Sequence, residues 1–160
     1  MPMSPLPEFE PEMATTRRLI ERVPSEKAEW KPHPKSVSIA HLALLVAGMP
    51  GWIVNAIRET ELDLAKGAGY SNQKTEALVA MFDRNVADAK EALASVTERD
   101  LDVIWSLKMG DKVLFSAPRR EVVRQHLNHL IHHRGQLSVY LRLVDVPVPS
   151  IYGPTADERW

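Results

Sequence analysis

Residues 119–144, RREVVRQHLNHLIHHRGQLSVYLRLV, hold four of the chain's six histidines on what reads as one long helix. With Val122 as origin and about 100° per residue, Val122, Val123, Leu127, Leu130, Leu137, Tyr140, Leu141 and Val144 share one broad apolar sector. Arg124, Gln125, Asn128, Gly135 and Arg142 fall on the other side. His126, His129 and His133 run along one margin of the apolar sector, and His132 points outward. Such a stripe has to be covered by other elements of the fold. Each imidazole drawn under that cover needs a partner for its ring nitrogens, and a metal ion is one such partner.

Spacing narrows the candidates. His129 and His133 stand at i and i+4, about 6 Å apart along the axis, so both rings can close on one ion with bonds near ~2.1 Å. His126 and His133 are two turns apart, about 10 Å, too far to share an ion. A third ligand would have to come from another helix. His126, one turn before His129, is a candidate acid/base group or hydrogen-bond partner for a ligand. Solvation, or bonding to backbone, is the alternative for each of these rings.

The remaining composition sets bounds. At 160 residues, 44% hydrophobic and 26% charged, the chain has the make-up of a globular protein and the size of a single domain, 1–160. A net charge of −1, with Lys and Arg scattered, argues against nucleic acid as partner. The absence of cysteine excludes disulfides, thiolate ligands and a protein-borne thiol nucleophile, and fits a cytoplasmic setting. The opening residues lack a basic flank followed by an apolar core, so no secretory signal is expected. Residues 39–57 are apolar enough to approach a bilayer span. Pro50 between Gly48 and Gly51, beside other amphipathic helices, instead marks them as the most buried helix of a bundle.

In chain order, residues 1–7 read as a loose arm and about 8–23 as a first helix ended by Pro24. Residues 30–36, WKPHPKS, form an extended connector, with His33 exposed or structural. Ser36 or Ser38 caps a second helix running to about Ala65, with a kink at Pro50. Gly67-Ala68-Gly69 breaks the chain, and a third helix covers about 72–96. Thr97 to Asp100 reads as a cap into a brief helix. Residues 105–117 alternate around Gly110-Asp111, which suggests a hairpin or an irregular extended loop before the last helix. The proline-rich tail, 146–160, packs across the outside. The economical architecture is all-α: four long helices around one core, with that short insertion.

Residues 128–142, NHLIHHRGQLSVYLR, resemble the final-helix signature of the DinB/YfiT-like superfamily. The tail 146–158, the connector 30–36, and Trp105-Ser106-Leu107 with Phe115-Ser116-Ala117-Pro118-Arg119 resemble one subgroup of it, in register over nearly the whole chain. The resemblance implies a four-helix bundle, often a homodimer. It also implies a divalent metal, zinc or nickel, held by three histidines, two of which match His129 and His133. The third family position, on the second helix, falls at Leu45. His41 lies one turn earlier, near the same face. Either His41 replaces the missing ligand, or the site has lost it and binds metal weakly or not at all.

Two classes of function follow as expectations. One is a metal-dependent enzyme acting on a small molecule: an S-transferase using a low-molecular-weight thiol, as in characterised relatives, or a hydrolase with His126 relaying a proton. The other is a non-catalytic dimeric bundle with a degenerate metal site, binding a small apolar ligand or serving a stress response. Arg134 and Gln136 belong to the resembling motif, as helix-tying residues or substrate contacts. Arg119 and Arg120 could meet an anionic group but are more simply helix-entrance charges. Trp30, Trp52 and Trp105 read as core and seam residues.

Overall fold

The computed structural model describes residues 7–67 and 69–159. The expected loose arm therefore lies almost entirely outside the described residues, as does Ala68 of the glycine break. Five α-helices are formed among them: α1 Phe9–Ile20, α2 Ile39–Arg58, α3 Thr75–Ser95, the one-turn α4 Glu98–Leu101, and α5 Arg119–Leu143. Three strands join them, β1 Glu61–Asp63, β2 Ile104–Met109 and β3 Lys112–Pro118. The sheet order is β1-β2-β3, with β1 parallel to β2 and β2 antiparallel to β3.

This corrects the all-α expectation: the fold is mixed, helices plus a small mixed sheet. The reason lies in residues 59–63. α2 stops at Arg58, where Glu59 turns extended, and Glu61, Leu62 and Asp63 pair with Ser106, Leu107 and Lys108 rather than continuing the helix. A three-residue strand carrying one apolar side chain has no period to read, and its partner lies far along the chain. The hairpin half of the insertion is present as β2–β3, turning at Gly110 with φ +59°. Glycine meets that left-handed backbone without a Cβ penalty. Asp63 locks the turn to β1: its Oδ1 accepts from Gly110 N–H at 2.8 Å and Ala65 N–H at 3.0 Å.

α2 is the axis of the core. Ser38 caps it, accepting from His41 N–H at 3.3 Å, and the helix runs on through Pro50. Among the described residues it alone is long and apolar enough to cross a membrane, yet it is mostly buried by the rest of the fold. Its inward residues, Leu42, Val46, Met49 and Ile53, join Leu78 and Phe82 of α3 and Leu127, Leu130 and Leu137 of α5 in one cluster. At Gly51 the missing side chain lets Asn85 of α3 come close, and Asn85 Nδ2 donates to Ala47 O at 3.0 Å. α4 is held by a capping box: Asp100 N–H donates to Thr97 Oγ1, and Thr97 N–H donates back to Asp100 Oδ2.

α5 lies antiparallel to α2. Tyr140, near its end, donates to Val37 O just before α2, while Trp52, late in α2, faces His126 and His129 near the start of α5. The tail is strapped on by ion pairs, Arg18 with Glu158 and Arg142 with Asp157.

Candidate functional site

The histidine stripe opens into a cavity of about 480 Å³. Trp52 of α2, Leu62 of β1, Leu64, Trp105 and Leu107 of β2, and Phe115 of β3 form its apolar walls. Val122, Gln125, His126 and His129 of α5 close the other side. The sheet is what makes this a pocket: without β1 and the hairpin, that face of α5 would be open groove. Trp105 is buried, and its Nε1–H donates to Asn55 Oδ1 at 3.0 Å, which fixes the indole.

His126 sits edge-on to both indoles, with ring centroids 5.7 Å from Trp52 and 5.9 Å from Trp105. Its Nε2 is buried and has no hydrogen-bond partner. Burial, reinforced by the nearby His129, pushes its pKa down to about 4, so the ring is neutral at pH 7.

His129 and His133 do come together. Their Nε2 atoms are 2.8 Å apart, and Gln136 Oε1 lies 2.7 Å from His133 Nδ1. The tautomer that matches both contacts has His133 Nδ1–H donating to Gln136 Oε1 and His133 Nε2 accepting from His129 Nε2–H. Burial, then the adjacent His133 and His132, lower the pKa of His129, which favours its neutral ring. Trp52 covers His129 at a centroid distance of 5.8 Å.

Among the described residues no third donor joins this pair. His41 stacks on Tyr70, with centroids 4.5 Å apart and planes 19° from parallel. In the antiparallel register it is Leu45, an aliphatic side chain, that reaches the level of His133, while His41 lies about one turn beyond. Among the described residues no group of three or more His, Cys, Asp or Glu side chains could hold a metal ion. The 2.8 Å separation of the two Nε2 atoms is a hydrogen-bond distance and puts the two expected ligands side by side. His129 and His133 thus stand together without a third such side chain beside them among the described residues.

The other sequence candidates occupy structural places. Arg134 is 1% exposed and donates to Glu12 Oε2, Glu12 O and Thr16 Oγ1, tying α5 to α1. It does not line the cavity. Arg119 donates to Glu59 O and Asp100 O, closing the seam between α2, α4 and α5. Arg120 pairs with Asp102 and Glu98, and His132 and His33 are exposed. Trp52 and Trp105, read from sequence as core and seam residues, line the cavity, and so do Leu62, Leu64, Leu107 and Phe115, since an apolar residue in a short strand or turn carries no sign that it faces a ligand.

A profile of the DinB family matches residues 6–159. The chain belongs to the DinB family. Among solved structures this DinB chain is similar to a DinB-like protein, YjoA, from Bacillus subtilis, at 20% identity and a TM-score of 0.69, covering 98% of this chain and 99% of that one. It is also similar to a DinB-like protein from Bacillus cereus ATCC 10987, at 20% identity and a TM-score of 0.72, covering 92% and 95%. At that identity the likeness concerns the fold. No curated protein matches this chain.

Proposed function

We propose that this DinB-family chain binds a small, largely apolar organic molecule in the cavity between α2, α5 and the sheet, with a metal centre reduced to a histidine pair. The observation that carries this reading is the cavity itself, walled by Trp52, Leu62, Leu64, Trp105, Leu107 and Phe115 with His126 and His129 along one side. A volume of about 480 Å³ lies within the usual range for small-molecule sites, which bury most of their ligand behind apolar walls and a few polar groups. Equilibrium dialysis with naphthalene tests it. One saturable site per chain with a Kd below about 1 mM is expected, lost when Leu107→Trp fills the cavity while the melting temperature is kept. Absence of saturable uptake by the parent protein overturns the reading.

A second reading rests on the convergence of His129 and His133. The pair, with His133 oriented by Gln136, supplies two donors of a weak chelate for zinc or nickel, the rest of the coordination being left to water or a small thiol. Elemental analysis of untagged protein tests it. Near-stoichiometric metal that disappears in His129→Ala supports it. Metal-free protein whose melting temperature ignores added zinc or nickel removes it.

A further inference from the structure

Behind the cavity wall, one side chain of α2 reaches both β1 and β2. On the reading that the cavity binds a small molecule, we propose that Asn55 is the positioning residue of that site: its carboxamide holds the Trp105 indole in place as a wall formed before the ligand arrives.

Asn55 is not itself among the residues lining the cavity, so what it does for a ligand it does through others. It stands about one turn beyond Trp52 on α2. Its Oδ1 accepts from Trp105 Nε1–H of β2 at 3.0 Å, and its Nδ2 donates to Glu61 O of β1 at 3.4 Å. Both contacts lead to the wall. Trp105 lines the cavity and is 1% exposed. Leu62, the neighbour of Glu61, lines it beside its pairing partner Leu107.

The chemistry asks for an amide. An indole N–H only donates and a carbonyl only accepts, and a carboxamide answers both at once. The two contacts are unequal in weight. Glu61 is exposed, so water can replace Nδ2 at its carbonyl. Trp105 is buried, so losing Oδ1 strands its N–H donor in the core. An indole released from that bond gains rotational room, and binding then carries the cost of ordering it. His126, packed edge-on to the same indole at 5.9 Å and 90°, has its neighbour fixed by the same bond.

A double-substitution cycle in the full chain, read by equilibrium dialysis with naphthalene, tests the inference. Asn55→Leu keeps the size of the side chain and removes both polar groups, while Trp105→Phe removes the N–H that Asn55 serves. Naphthalene is expected to bind about tenfold more weakly to Asn55→Leu than to the parent. In the Trp105→Phe background the same change is expected to cost less than about threefold. A purely structural role for Asn55 gives the same loss in both backgrounds. A second measurement needs no variant, so a misfolded substitution does not shelter the idea. In the ligand-free parent the Trp105 indole N–H, followed by NMR, should exchange with solvent at least about tenfold more slowly than that of the half-buried Trp52. Equal affinity in parent and Asn55→Leu, equal losses in the two backgrounds, or exchange at Trp105 as fast as at Trp52 each overturns the inference. If the parent binds naphthalene and any of these is found, this inference falls and the cavity reading stands. If the parent takes up no naphthalene, both fall.

Discussion

α5 carries two buried polar clusters that differ in one respect. Around Arg134 every demand is met from within the chain: Glu12 and Thr16 accept from the guanidinium, Tyr152 Oη donates to Glu12 Oε1, and the Tyr152 ring lies 5.2 Å from the guanidinium carbon. Around His126, less than three turns earlier, the ring is packed on two indoles and its Nε2 is left without a partner. A complete buried network holds elements together, and removing one member strands the others. An incomplete one on a cavity wall does little for the fold by itself. The first therefore reads as architecture, joining α1, α5 and the tail, and the second as part of the cavity wall, where the fold leaves a buried nitrogen unpaired.

The largest effect that would break this comparison belongs to Arg134. Arg134→Met should cost about 3–5 kcal/mol in urea unfolding, because Glu12 is left buried and unpaired. A cost under about 1 kcal/mol would remove the contrast. Next is acid. The folded pKa of His126, about 4, lies below its ordinary 6.5, so between those values the unfolded chain binds more protons and stability rises with pH. The contribution is complete above pH 6.5 and is lost as pH falls toward 4, by roughly 3 kcal/mol at most. The lowered pKa of His129 acts in the same direction. Urea midpoints compared between the parent and His126→Leu isolate the His126 share, and parallel curves would deny it.

Smaller effects sharpen the same line. Tyr152→Phe should cost about 1 kcal/mol, the loss of one donor to a buried carboxylate. His126→Leu at neutral pH should be neutral or stabilising by up to about 1 kcal/mol, since it removes a polar atom that has no partner. A marked loss there would mean that His126 serves the fold after all.

Much of the frame is legible in the sequence because it is written in strong periods. The α5 stripe, the apolar run of α2 with its Ser38 cap, the Thr97 box and the turn at Gly110 all announce themselves locally. The sheet does not, since β1 is three residues whose meaning depends on Ser106 to Lys108, more than forty positions away. The same limit applies to the site. The approach of His129 to His133 follows from helical spacing alone, whereas the separation of His41 from them depends on how α2 and α5 are registered and on Tyr70, which holds its ring. Arg134 is similar: the motif marks it as a helix-tying residue or a substrate contact, but only the packing of α1 reveals Glu12 as its partner.

The most direct test of the central claim is the nitrogen chemical shifts of the His126 ring, followed by imidazole-detected NMR with and without naphthalene at about pH 5.5, where an ordinary histidine is mostly charged. The account predicts a neutral ring whose resonances shift when the ligand fills the cavity that His126 lines. A charged ring, or ring resonances indifferent to the ligand, would contradict it.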